Sequence, residues 1–352
     1  LHKHFAAPAA APIILNIIII SALFISGSLM KMASTSQIYF VAVAVLIAGI
    51  VQIVMQLIPL RKNSIEIKLS WQVHSEAFRK ILIMMGPMII GLTVTQINTL
   101  ADDFIALFFS REDGYPLGFG AVSYLYYGQR MYQLPLGVFG ISLATAIFPV
   151  MSAAAARKDY DSLAESVSRG IQGAIFLAVP ATAGLFLVAR PAVSAIFEHG
   201  KFTSADTAHT SFTLVFYAIG LCGFFSQQIL TRAFYSMQDS KTPMKSAITA
   251  VVVNIVLNLS LIWVMGTAGL ALSTAICSYL QVVILVYALR KRIGHSFMQG
   301  TGVIFIKTVI GTVIMSGVSG IFIYLMRDMP KGAGELKFDI LRILAVVVPS
   351  VL

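Results

Sequence analysis

Long apolar runs separated by short polar stretches restrict the fold of this sequence more than any other feature. A helix needs about 20 mostly apolar residues to cross the hydrocarbon core of a membrane, and about ten runs reach or approach that length. They lie at residues 12–32, 38–60, 81–109, 121–150, 173–189, 211–235, 246–264, 268–289, 302–326 and 340–352. The sequence therefore predicts an all-α integral membrane protein, a polytopic bundle of transmembrane helices.

Composition excludes a soluble globular domain. Hydrophobic residues make up 58% of the chain and charged residues only 11%, whereas a soluble domain carries about a quarter charged residues. A chain so poor in charge cannot cover a surface in water, so lipid must be its solvent. The sequence also contains no glycine-rich phosphate loop ending in Lys-Ser or Lys-Thr, which argues against an ATP-driven pump. We expect a transporter, with no enzymatic site and no bound cofactor.

Membrane topology explains the net charge of +10, and we expect no nucleic-acid partner. Basic residues gather at one set of span ends, around positions 61–80, 157–158, 241–245 and 290–292. Cytoplasmic loops of membrane proteins carry an excess of Lys and Arg. The pattern predicts that these segments face the cytoplasm and that membrane lipids surround the spans.

Polar side chains inside predicted spans are informative because each is costly in hydrocarbon. Asp102 lies in the third span, and Asn254 and Asn258 lie four residues apart in the seventh, so the two amides share a helix face. Thr274 follows in the eighth span, which a short connection makes a neighbour of the seventh. These four residues would offer oxygen ligands to a hard monovalent cation. Two interpretations stay open: a cation or proton site, or hydrogen bonds between helices.

Arg130 is isolated within the fourth span, with no acidic residue within one helical turn. A charged side chain is tolerated in a span where water, an oppositely charged partner or an anion solvates or neutralises it. A guanidinium binds phosphate through two parallel hydrogen bonds. We predict that Arg130 faces a water-filled cavity, and snorkelling to the interface is the alternative. Tyr127 and Gln133 are assigned to the same substrate cavity, together with Gln96 and Asn98 of the third span.

Several separated motifs form a set along the chain. The longest, QLPLGVFGISLATAIFP at 133–149, follows two residues after YGQR at 127–130. Others are FAAP at 5–8, APIILN at 11–16, QIN at 96–98 followed by Asp102, IFEHGKF at 196–202 and RAFYSMQDSKTP at 232–243. In this order they resemble the signature of the MurJ/MviN family of lipid II flippases, and the resemblance covers nearly the whole chain.

The resemblance implies a two-lobed, MATE-like fold of the MOP superfamily, with two six-helix lobes followed by a helix pair. By this match the chain is a fragment that lacks the family's first four helices and holds about ten. It assigns residues 1–60 to the end of the first lobe, 61–80 to a cytoplasmic amphipathic linker, 81–292 to the second lobe and 300–352 to the helix pair, with the last helix cut short. A start at Leu1 and an end inside an apolar run agree with this expectation.

The resemblance also implies a function. Members translocate lipid II, an undecaprenyl-pyrophosphate-linked disaccharide peptide, from the inner to the outer leaflet of the bacterial cytoplasmic membrane by alternating access. Arg130 matches a functional cavity arginine of the family, whereas Gln133 stands where some members have glutamate. Na⁺ or H⁺ is the expected coupling ion, and a monomer is expected. The alternative is a related exporter of polysaccharide lipids or drugs in the same superfamily.

Overall fold

The structure, a computed structural model, describes residues 6–62, 75–294 and 296–325. Contacts between residues divide the chain into two compact units, Leu1–Ser75 and Glu76–Leu352. The predicted final span at 340–352 and most of the predicted linker at 61–80 lie outside the described residues.

The first unit contains two described helices that pack against each other. Helix α1 covers Ala6–Phe24 and continues into a π-helical turn at Ile25–Leu29, and α2 covers Ser34–Lys62. Many of their large apolar side chains are exposed within this unit. Such exposure is expected for helices that are surrounded by lipid.

The second unit is an array of helices joined by short connections. Helices α4 and α5 are joined by a π-helical turn at Leu136–Ile141, which directly follows Pro135. The described helices are α3 (Glu76–Phe108), α4 (Ala121–Pro135), α5 (Ser142–Ala156), α6 (Tyr160–Phe197), α7 (Ser204–Ile219), α8 (Leu221–Ser236), α9 (Lys241–Met265), α10 (Thr267–Ile293) and α11 (Thr301–Leu325).

The helices have the length and composition of membrane spans. Within the described residues, seven helical segments are long and apolar enough to cross a membrane, and α7 with α8 makes an eighth if the bent pair is one span. Helix α3 is not one of these segments, but with 33 residues it is roughly 50 Å long and covers most of the predicted span at 81–109. The predicted all-α, polytopic membrane fold is confirmed.

Helix α6 is much longer than the predicted span at 173–189, because it runs without interruption over 38 residues. At 1.5 Å per residue it measures roughly 57 Å, whereas the hydrocarbon core is about 30 Å thick. Its polar first turns therefore extend beyond the hydrocarbon. Asp159 caps this end, and hydrogen bonds from the hydroxyl and amide of Ser162 lower the pKa of the Asp159 carboxyl.

Helices α7 and α8 meet at a 45° bend beside Gly220. Side chains of α10 donate to carbonyl groups at the bend: Tyr279 Oη to Ile219 O at 2.6 Å, and Ser278 Oγ to Gly220 O at 3.3 Å. The helices touch so closely here that a Cβ on Gly223 would lie 2.2 Å from Ser278 Oγ. These contacts hold α8 against α10.

Helices α9 and α10 approach each other closely at Gly269, where a Cβ would lie 2.6 Å from the carbonyl oxygen of Leu261. Helix α3 also packs against α9. The three helices that carry the predicted cation ligands are therefore neighbours in one unit.

Candidate cation and substrate site

Asp102 is buried where α3, α9 and α10 meet. Asn258 Nδ2 donates to Asp102 Oδ1 at 2.6 Å, and Thr274 Oγ1 and Asn98 Nδ2 donate to Oδ2 at 3.3 and 3.4 Å. Asp102 is 4% exposed, while Asn254 and Asn258 are 0% exposed. The structure thus brings together the four residues that the sequence analysis assigned to a cation site, and we call Asp102, Asn254, Asn258 and Thr274 the Asp102 cluster.

The two asparagine amides of the cluster have competing ways to pair. Asn258 Nδ2 donates to Asn254 Oδ1 at 2.9 Å, while Asn258 Oδ1 is buried without a partner. Turning the Asn254 amide would let its nitrogen donate to Asp102 Oδ1 at 3.0 Å, but it would also place the two amide nitrogens 2.9 Å apart. An unpaired buried acceptor costs roughly 1–3 kcal/mol. A cation that bound the amide oxygens would remove this cost.

The charge and donor set of the Asp102 cluster suit a small monovalent cation. Neither ion pair found in the described part of the chain involves Asp102, so its charge has no fixed cationic partner there. The other ligands are neutral amide and hydroxyl oxygens, which are typical for hard cations. No group of three or more His, Cys, Asp or Glu side chains with metal-binding geometry occurs among the described residues.

A cavity of about 560 Å³ opens beside the Asp102 cluster. Asn254 and Thr274 belong to both the cluster and the cavity wall, and the predicted substrate residues Gln96, Asn98 and Gln133 lie in the same wall. Further polar wall residues are Thr99, Gln129, Gln227, Gln228, Ser278 and Gln281. Because amides both donate and accept hydrogen bonds, this amide-lined cavity suits water and neutral polar groups of a ligand.

Arg130 is exposed on α4 and, like Tyr127, is not among the residues that line this cavity. Its Nη1 donates to Gln133 Oε1 at 3.0 Å, and its guanidinium carbon lies 4.7 Å from the centre of the Tyr126 ring. No carboxylate of the described residues forms an ion pair with it. A guanidinium has five N–H donors, so most remain available to an anion. Gln133 connects the arginine to the amide-lined cavity.

Tyr127 does not line the amide-lined cavity. Its ring centre lies 4.6 Å from that of Phe197 and 5.3 Å from that of Phe202. The physical reason is helix geometry: with 3.6 residues per turn, Tyr127 and Gln133 point about 120° apart around α4. The prediction placed both on one wall because it used proximity in the sequence instead of helical angle.

Sequence reasoning missed several polar residues of the cavity wall. Gln227 and Gln228 of α8 and Gln281 of α10 line the cavity, and Gln281 donates to Ser246 Oγ at 3.4 Å. The signal was present in the sequence, since all three glutamines lie inside predicted spans, where an amide is costly. The same argument that selected Gln96 and Asn98 would have selected them.

Comparisons with known proteins agree on one family. The sequence model described as "MurJ: Lipid II flippase MurJ" matches residues 1–337. A "Probable lipid II flippase MurJ" of Vibrio cholerae serotype O1 is 34% identical over 281 residues, which are 80% of this chain and 51% of that protein. The "Lipid II flippase MurJ" of Burkholderia cenocepacia is 30% identical over 321 residues, 90% of this chain and 60% of that protein. The chain thus spans only about half the length of the first of these relatives.

Solved structures show the same fold. A structure described as "Lipid II flippase MurJ, inward closed conformation" has a TM-score of 0.70 and 26% identity, covering 99% of this chain and 66% of that one. A MOP superfamily transporter from Pyrococcus furiosus has a TM-score of 0.51 at 13% identity and covers 77% of this chain and 63% of that one. The second likeness concerns the fold alone.

Proposed function

This chain belongs to the MurJ family of lipid II flippases, and from that membership we propose that its full-length protein moves lipid II from the inner to the outer leaflet. The protein is a multi-pass protein of the bacterial inner membrane. The cargo would be an undecaprenyl-pyrophosphate-linked disaccharide peptide. Translocation requires only that its polar headgroup be sheltered from hydrocarbon while the lipid tail stays in the membrane, so no covalent bond is made or broken.

The observation that carries this proposal is Arg130, which forms no ion pair with a carboxylate of the described residues and donates to Gln133 in the wall of the amide-lined cavity. Arg130 offers a bidentate site for the pyrophosphate, and Gln96, Asn98 and Gln133 offer donors and acceptors for sugar and peptide groups. A site built for cationic drugs would instead need acidic groups at this place. Tyr127 is left out of the proposed substrate set, because its ring packs against Phe197 and Phe202.

We further propose that the Asp102 cluster binds the coupling ion, Na⁺ or H⁺. Asp102 would supply the charge, and Asn254, Asn258 and Thr274 would supply neutral oxygens. The support is the burial of one carboxylate among amides at the wall of the amide-lined cavity. An ion bound there would contact α3, α9 and α10, and it would therefore directly affect how these three helices pack.

The function is tested with the full-length protein in two assays. Expression in a bacterial strain depleted of its own lipid II flippase is expected to restore growth, and lipid II labelled on its headgroup is expected to become accessible outside intact cells. Restored secretion of a polysaccharide lipid, or drug resistance without restored growth, would favour the alternative exporters. A chain expressed at normal levels that restores none of these activities would contradict the proposal.

The orientation proposed from the basic residues has its own test. After Cys222 and Cys277 are replaced by serine, a single cysteine is introduced at position 291 or 331. In intact cells an impermeant thiol reagent is expected to label position 331, which lies outside the described residues, and not position 291. The reverse pattern would overturn the proposed orientation, and labelling after permeabilisation serves as the control for thiol reactivity.

A further inference from the structure

Asn98 contacts the Asp102 cluster and also lines the amide-lined cavity. It precedes Asp102 by four residues, so the two side chains share a face of α3, and its Nδ2 donates to Asp102 Oδ2 at 3.4 Å. Asn98 is half-buried in the cavity wall, whereas Asp102 and Asn254 are 4% and 0% exposed. The Asn98 amide therefore lies between the buried carboxylate and the space assigned to the cargo.

The amide oxygen of Asn254 faces two other oxygens. Its position is 3.1 Å from Asn98 Oδ1 and 3.0 Å from Asp102 Oδ1. Buried oxygens that face one another repel unless a hydrogen or a cation lies between them. Oxygens that bind one cation at roughly 2.3–2.6 Å, at right angles to each other, are about 3.3–3.7 Å apart. A shift of a few tenths of an ångström would therefore give these three oxygens the spacing of cation ligands.

No orientation of the Asn254 and Asn258 amides removes every contact between like atoms. Turning Asn254 alone would bring its nitrogen to 2.9 Å from Asn258 Nδ2, and a cation cannot relieve a contact between two amide nitrogens. Turning both amides would put the Asn258 oxygen where its nitrogen is now, 2.6 Å from Asp102 Oδ1, which is closer than separate ligands of one cation lie. A cation thus favours the present orientation, in which the facing oxygens belong to Asn254, Asn98 and Asp102.

We propose that Asn98 couples the cation of the Asp102 cluster to the cargo, an inference that rests on the proposed function. Asn98 Oδ1 adds a ligand oxygen to those of Asp102 and Asn254. An amide nitrogen has two N–H donors, so Asn98 Nδ2 has one beyond its contact with Asp102, and this donor binds an oxygen of the lipid II headgroup in the amide-lined cavity.

Two effects of the cation favour binding of the cargo. A cation on Asn98 Oδ1 polarises the amide and strengthens its N–H as a donor. The cation also neutralises Asp102, whose charge would otherwise repel an anionic headgroup. Both effects have the same sign, and by thermodynamic linkage each ligand raises the affinity for the other by the same factor.

The test measures the affinity of the purified full-length protein for fluorescently labelled lipid II in sodium chloride and in N-methylglucamine chloride of equal ionic strength. The wild-type protein is expected to bind lipid II at least about fivefold more tightly in sodium, since coupling between sites usually reaches this size. Asn98→Leu keeps the approximate size of the side chain but removes both amide atoms. Its affinities in the two salts are expected to be equal, and its sodium-dependent rise in melting temperature should be smaller because a ligand oxygen is lost.

Two further variants separate coupling from a structural role. Gln96 lies on α3 in the same cavity wall, and Gln96→Met is expected to weaken lipid II binding equally in both salts, so that the ratio of affinities stays as in the wild type. Asn98→Asp keeps an oxygen for the cation but removes the N–H donors. It is expected to retain the sodium-dependent melting temperature and to bind lipid II weakly in both salts.

The outcomes distinguish the coupling from the proposed function. Equal affinity of the wild-type protein for lipid II in both salts would overturn the coupling alone, and so would an Asn98→Leu variant that keeps the wild-type ratio. A full-length protein that binds lipid II in neither salt would contradict the proposed function and the coupling together.

Discussion

Replacing Arg130 by alanine is expected to lower lipid II transport at least tenfold while leaving the full-length protein folded and inserted. A hydrogen bond to a charged group contributes roughly 1.5–3 kcal/mol, and the pyrophosphate would lose two of them. Stability should change little, because Arg130 is exposed and its contacts among the described residues are with Gln133 and the Tyr126 ring. The measurement is growth of a flippase-depleted strain that carries the variant, with its membrane level determined in parallel.

Two further variants make the Arg130 result specific. Arg130→Lys keeps the charge but loses the planar fork, so it is expected to support partial function. Arg190 is another exposed arginine in a span, on α6, and Arg190→Ala is expected to transport normally. Full growth of the Arg130→Ala strain at normal expression would show that the guanidinium is an interfacial residue, and the proposed role of Arg130 would be wrong.

Replacing Asp102 by asparagine is expected to abolish stabilisation of the protein by the coupling ion. An ion that binds only the folded state stabilises it by about 2.7 kcal/mol at a concentration 100 times its Kd. Purified wild-type protein should therefore melt at a higher temperature in sodium chloride than in the chloride of a bulky organic cation. Asp102→Asn keeps the shape of the side chain but removes the only carboxylate of the cluster, so its melting temperature should be the same in both salts.

The neighbouring carboxylate provides the control for Asp102. Asp103 is partly exposed and is not a member of the Asp102 cluster, so Asp103→Asn is expected to retain the response to sodium. Thr274→Val should weaken the response by removing one hydroxyl ligand. A melting temperature that depends on pH but not on sodium, and that loses this dependence in Asp102→Asn, would identify H⁺ as the ion. A sodium response that survives in Asp102→Asn would show that the cation binds elsewhere.

The sequence by itself determined the class of fold and the family. A membrane span is a local property, because about 20 apolar residues in a row must be solvated by lipid whatever surrounds them. The motif from 133 to 149, and the lack of an acidic residue within one helical turn of Arg130, can likewise be read from the sequence alone. The polar residues of the Asp102 cluster were also identified from the sequence, since an amide or carboxylate in a span indicates a hydrogen-bonding partner or water beside it.

Only the tertiary structure decided which polar residues meet. The close approach at Gly269 brings α10 against α9, and packing of α3 on α9 then delivers Asp102 to the two asparagines. The same packing places residues of several helices in one wall of the amide-lined cavity and leaves Tyr127 outside that wall. Such meetings depend on the angle and depth at which helices pack, and no local pattern of residues carries that information.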